Sequence, residues 1–260
     1  MYKGNENLIN DGEYMPFTML NFWQWAYSNL IHNMLRGTFA DFVVKCALDT
    51  GGIITRSEIG TGLEPYDLEG PIIPSTGKTS RIEVKSAAFV QTWDIKHPDR
   101  ANFSIAPATL PDETGDFVKG TPRQRNNDVY VFTLYTAKDK RCNILDLSWW
   151  EFYVLPTYKI EGDKDLRTQK TISLKRVREI CQVQSFNTLC SAIADACNSI
   201  PAEYNICIFP PKGEKVTSDN VNFTPPRKIR RDFSNFLLIK ISRHFFCVGI
   251  FSVGIWVVGY

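Results

Sequence analysis

The run Asp128-Val-Tyr-Val-Phe-Thr-Leu-Tyr limits the folds open to this chain more than any other stretch. β-Branched and aromatic residues fill it almost throughout, which marks a strand. It is apolar on both alternating faces, so it predicts a central strand covered on either side. Trp150 to Pro156 reads as its neighbour, joined through a hairpin-like turn at Lys138-Asp139-Lys140. With 260 residues there is material for one sizeable core, and 43% hydrophobic with 22% charged residues is ordinary for a globular domain.

Elsewhere the elements read more coarsely. Thr18 to Leu48 predicts two helices, the first capped by Thr18 and carrying Leu20, Trp23, Tyr27, Leu30 and Ile31. A corner is expected at Asn33 to Gly37. A second helix then starts near Thr38 with Phe39, Val43, Cys46 and Ala47 as its stripe, closed by Gly51-Gly52. Ile53 to Ser57 is β-like, Glu58 to Pro65 turn-rich, and Pro71 to Thr79 a loop between strands. Ile82 to Ser86 is a strand, Phe89 to Trp93 continues it, and Phe103 to Ala106 is another. Ser173 to Asn198 is helical in two pieces, burying Val177 and Ile180, then Leu189, Ile193 and Ala196.

Side chains alternate along a strand, so Glu83 and Lys85 share one face while Ile82 and Val84 turn inward. Asp67 stands on the extended segment before them. Two carboxylates and an ammonium converging at a sheet edge suit a divalent cation and a phosphodiester. Taken alone, Glu-x-Lys is a common pattern and equally describes the solvated face of an edge strand. Asp41 likewise reads as an acid in a first helical turn, favoured by the helix dipole.

Composition narrows the chemistry. A formal charge of +2 supplies no global field for nucleic acid, so local basic patches are needed. Lys119, Arg123 and Arg125 near the end of the long Pro107 to Asn127 loop read first as a solvated loop and Lys175, Arg176 and Arg178 as a solvated face, but phosphate contacts fit both. Seven cysteines without a CxxC pair, and three distant histidines (His32, His97, His244), favour reduced thiols and disfavour a zinc or histidine-rich site. The expected location is the cytoplasm.

The ordered set Asp41, Asp67 and Glu83-Val84-Lys85 resembles the PD-(D/E)XK nuclease superfamily. The closer match is to uncharacterised bacterial proteins of that restriction-endonuclease-like fold. Asn21–Ser28, Arg36–Val44, Tyr66–Leu68, Ile82–Trp93, Val129–Phe132 and Trp150–Thr157 carry it. The resemblance implies an α/β (α+β) domain over 18–226, with a mixed central sheet flanked by helices and a metal site at an exposed edge. It implies Mg²⁺, with Mn²⁺ as a substitute, held by Asp67, Glu83 and the main chain of Val84. Lys85 would orient or activate the attacking water. Asp41 stands where the family more often has glutamate, Tyr66 where the motif names proline, and Gln91 where related enzymes often carry a glutamine. The implied activity is phosphodiester hydrolysis, with DNA as partner and a homodimer suited to cutting both strands. The rival expectation is a catalytically inactive nucleic-acid-binding or interaction protein of the same fold. A different hydrolase ranks lower, because no serine elbow or histidine-partnered cysteine is present.

The ends read differently. Residues 1–17 are expected to be a flexible lead-in without a secretory signal pattern. Residues 227–260 are basic and then strongly apolar. A terminal anchor, a buried hairpin and sequence foreign to the fold, such as a reading-frame change, all fit. The lack of polar alternation favours the last. Membrane attachment through 245–260 is the weaker expectation, since that run falls short of the roughly 18 residues of a spanning helix.

Overall fold

The structure is a computed structural model that describes residues 2–53, 65–93, 100–109 and 123–204, with the backbone of three C-terminal strands. The chain opens with a hairpin, Asn7–Asn10 (β1) and Glu13–Thr18 (β2), followed by helices Met19–Tyr27 (α1) and Asn33–Thr50 (α2). Strands Leu68–Ile73 (β3), Lys78–Ala88 (β4), Asn102–Ser104 (β5), Val129–Tyr135 (β6) and Trp150–Pro156 (β7) come next. Then follow Thr157–Gly162 (α3), Thr171–Ser173 (β8), Leu174–Ile180 (α4), Val183–Gln184 (β9) and Phe186–Asn198 (α5).

A five-stranded sheet in the order β3-β4-β6-β7-β9 is the framework. β4 and β6 run parallel and every other neighbouring pair antiparallel, so the sheet is mixed. Every residue of β6 is buried, as its two apolar faces require. Alternation divides the core in two. Ile82, Val84, Val129, Val131, Tyr135 and Phe152 pack under α2 and α5. On the other face Tyr130, Phe132, Leu134, Tyr153 and Leu155 pack against β5, β8, α3 and α4.

Local chemistry explains the boundaries. Asp11 (φ 49°) and Gly12 (φ 87°) make the left-handed pair of a two-residue hairpin turn, so the predicted flexible lead-in is ordered as β1 and β2. Thr18 does cap α1: its hydroxyl accepts from Asn21 N–H, and Asn21 Oδ1 accepts from Thr18 N–H at 2.8 Å. The corner lies earlier than predicted, before Asn33. Residues 33–37 are helical, because Arg36 is buried one turn ahead of Ala40 and extends the inward stripe.

The predicted loop at Pro71 to Thr79 is shorter, since β3 continues through Pro71 to Ile73. β3 borders the sheet, where a missing N–H costs nothing, and the pairing is irregular between Glu69 and Ile72. A Cβ on Gly70 would stand 2.5 Å from Ile82 Cδ1, so only glycine lets β3 lie this close to β4. β4 is longer than predicted but ends at Ala88, and Phe89 to Trp93 do not continue it. The two helical pieces predicted over Ser173 to Asn198 are present as α4 and α5, with β9 between them. Ser173 Oγ accepts from Arg176 N–H at 3.2 Å at the start of α4. Ser173→Ala is expected to cost about 1 kcal/mol in equilibrium urea unfolding.

Phe236–Ile241 (β10), His244–Phe251 (β11) and Gly254–Gly259 (β12) form a separate three-stranded antiparallel sheet. Among the described residues no helix is long and apolar enough to cross a membrane. The β-like run at 54–57, the turn-rich 58–64, His97, Lys119 and most of 201–226 lie outside the described residues.

Candidate active site

β3 pairs only with the first part of β4, from Ile73 opposite Lys78 to Leu68 opposite Ile82. Asp67 is the last residue before that pairing begins. Its N–H donates to Ile82 O at 2.9 Å, and its Oδ2 accepts from Val84 N–H at 2.7 Å. The carboxylate therefore stands where a further β3 carbonyl would bond. Beyond Asp67, no described strand pairs with that side of β4. So β4 is not the edge strand that the sequence suggests.

The bonds to Ile82 O and from Val84 N–H hold the Asp67 carboxylate at the Val84 N–H, between the positions of Glu83 and Lys85 on β4. Lys85 follows Glu83 on one face of β4 and donates from Nζ to Glu83 Oε1. Their side chains are 18% exposed for Glu83 and 16% for Lys85, so the ion pair is sheltered without being sealed. Glu83 lies beside Tyr130 of β6 and Lys85 beside Phe132. Burial drives the Tyr130 phenol well above its usual pKa, and the nearby negative charge of Glu83 adds to the shift. Val84 points its side chain into the core under α2, while its N–H faces the Asp67 carboxylate. Its carbonyl faces the same way, because both main-chain groups of a strand residue leave on one side.

The structure thus brings Asp67, Glu83, Val84 and Lys85 together, and places the other two candidates apart. Asp41 belongs to α2, which covers the opposite face of the sheet from Glu83 and Lys85. Gln91 follows β4 and accepts at Oε1 from Arg36 Nη1 at 3.2 Å. Asp41, Asp67 and Glu83 each have a further partner in the folded chain.

The groups on this side of β4 that could hold a cation are two carboxylates and one main-chain carbonyl, all hard oxygens. That set fits Mg²⁺ or Mn²⁺, which take one or two protein carboxylates and keep several waters. Among the described residues no group of three or more His, Cys, Asp or Glu side chains converges.

Arg125 is not the phosphate contact its sequence suggests. Its side chain is 1% exposed and pairs with Glu161 at 2.6 Å. It also donates to the carbonyls of Ile105, Leu166, Arg167 and Gln169. Arg123 is exposed and donates to Pro107 O at 3.1 Å. In the second basic segment, Arg176 pairs with Asp163 and Glu179, and Arg178 with Glu151. An open pocket lined by Glu151, Tyr153, Arg178, Cys181, Gln182 and Val183 sits at the other border of the sheet. Its charges are matched, since Arg178 donates to Glu151 Oε2 (2.7 Å) and to Tyr153 OH (2.9 Å).

Sequence reasoning missed Arg36, which is buried in the first turn of α2. Its four-residue spacing from Ala40 was the available signal. No known family profile, curated protein or solved structure matches the chain.

Proposed function

We propose that this chain is a Mg²⁺-dependent nuclease that hydrolyses phosphodiester bonds, with DNA as the expected substrate and a homodimer as the form suited to double-strand cutting. One observation carries the reading: where β3 ends, the Asp67 carboxylate accepts from the main-chain N–H of Val84, the residue between the partly exposed Glu83 and Lys85 pair. In this reading Asp67, Glu83 and the Val84 carbonyl hold Mg²⁺, or Mn²⁺ in its place. When bound, such an ion lowers the pKa of water and neutralises charge on phosphoryl oxygens.

The chain's own residues do the rest. Asp67 is held by its bond from Val84 N–H, so little ordering remains when it binds a ligand. Lys85 brings a positive charge to the place where negative charge develops on the phosphate. Glu83 restrains the flexible lysine arm before substrate arrives. Asp41 and Gln91 have no assigned part in the bond-breaking step.

The test is incubation of the full chain with plasmid, linear duplex and single-stranded DNA, and with RNA. Cleavage is expected with Mg²⁺ or Mn²⁺ and is abolished by EDTA. Binding of DNA without cleavage under either metal favours the inactive-binder reading instead.

A further inference from the structure

Arg36 is 2% exposed, yet it meets no carboxylate among the described residues. Its Nη1 donates to Ile31 O at 3.1 Å and to Gln91 Oε1 at 3.2 Å, both uncharged, and its Nε has no partner there. The other two buried arginines differ: Arg81 meets Asp128 and Arg125 meets Glu161. An enclosed cation without a counter-charge is costly, and burial pulls the Arg36 pKa down to about 10. The start of α2 compounds the imbalance. Its first turn holds no acidic residue and His32 gives no side-chain cap, so the positive end of the helix dipole is also unanswered. Among the described residues this corner is short of one negative charge.

We propose that Gln91, backed by Arg36, forms an anion subsite for a phosphate of the nucleic-acid strand flanking the scissile one, an inference that rests on the nuclease reading. A glutamine amide has an acceptor end and a donor end, whereas arginine only donates. Arg36 therefore holds Gln91 Oε1, which leaves Nε2 as the donor end for a ligand. The described acceptor for Nε2 is Ala88 O at 3.5 Å, too long for a good hydrogen bond. Gln91 is half-buried and forms the outer layer, with Arg36 behind it as the positioning residue and source of charge. A donor end over a buried cation selects an anionic oxygen. The extended run from Lys85 to Ala88 alone spans about 10 Å. The subsite thus suits a neighbouring phosphate rather than the one being cut.

Affinity for a short fluorescently labelled DNA duplex, measured in EDTA, tests this without metal or cleavage. Arg36→Met is expected to bind about tenfold more weakly than the parent chain. Its melting temperature should equal or exceed that of the parent, because the uncompensated charge is gone. Arg36→Lys should recover most of the affinity, and Gln91→Glu should lose at least as much as Arg36→Met. Inorganic phosphate should compete with the duplex more effectively on the parent chain than on Arg36→Met. Parent-like affinity in Arg36→Met or Gln91→Glu overturns the subsite. So does Arg36→Lys binding as weakly as Arg36→Met, or a melting temperature of Arg36→Met several degrees below the parent. Asp67→Asn, assayed alongside, should bind normally and cleave nothing. If the parent chain cleaves nothing with Mg²⁺ or Mn²⁺, the nuclease assignment fails while the affinity comparison still decides the anion subsite.

Discussion

A Lys85→Ala protein is expected to lose about 100- to 1,000-fold of the metal-dependent cleavage rate at saturating substrate. The loss should fall on kcat, with KM little changed, because the ammonium is needed most where charge builds up on the phosphate. Removing it also takes away the Lys85 ion pair from Glu83, whose side chain is 18% exposed. A stability loss of roughly 1–3 kcal/mol should therefore accompany the catalytic defect. The double replacement Glu83→Gln with Lys85→Met separates the two effects, since it removes both charges together. It should regain most of the stability and none of the activity. If cleavage returns with stability, Lys85 is only a partner for Glu83 and has no part in the chemistry.

The largest effect on folding is expected from Asp128→Ala, at about 3–5 kcal/mol. Asp128 accepts from Arg81 Nη2 at 2.8 Å, from Nε at 2.9 Å and from the Arg81 main-chain N–H at 2.8 Å. Its own N–H donates to Arg81 O at 2.8 Å. Both side chains are nearly enclosed, so the alanine variant strands a buried guanidinium. The pair sits one residue before the parallel register of Ile82 with Val129, which sets Glu83 beside Tyr130. Urea unfolding followed by tryptophan fluorescence reads the loss as a lower midpoint. Asp139→Ala is the contrast. Asp139 and Arg141 pair on the surface, where hydrogen bonds from Arg141 bring the Asp139 pKa down to about 2. Surface pairs contribute little, so its midpoint should stay at the parent value. A shift below about 1 kcal/mol for Asp128→Ala would contradict the buried-pair account.

Patterns that depend on one element were legible in the sequence. The two apolar faces of 128–135 announced a central strand, and alternation at 82–85 put Glu83 and Lys85 on one face. The hairpin at Asp11-Gly12 was missed: the polar composition of 1–17 reads as a flexible end, although Asp-Gly suits a tight turn. Boundaries that depend on neighbouring elements were not legible. Asn33 and Gly37 read as a corner because an arginine at 36 does not look like a core residue. Pro71 reads as a loop until β3 is known to border the sheet. The side of the sheet that each helix covers is likewise a tertiary fact, and it decides that Asp41 and Glu83 lie on opposite faces. Arg125 illustrates the same limit. A basic residue after a long loop invites a phosphate, yet here it closes five acceptors in the interior.

Asp67→Asn tests the central claim most directly, because the amide oxygen can still accept from Val84 N–H while the negative charge is gone. Initial rates of plasmid nicking in Mg²⁺ should be measured for this variant and the parent chain, prepared alike and matched for melting temperature. The account predicts nicking by the parent and at least a hundredfold less, roughly, by Asp67→Asn. Equal nicking rates for the two would contradict it.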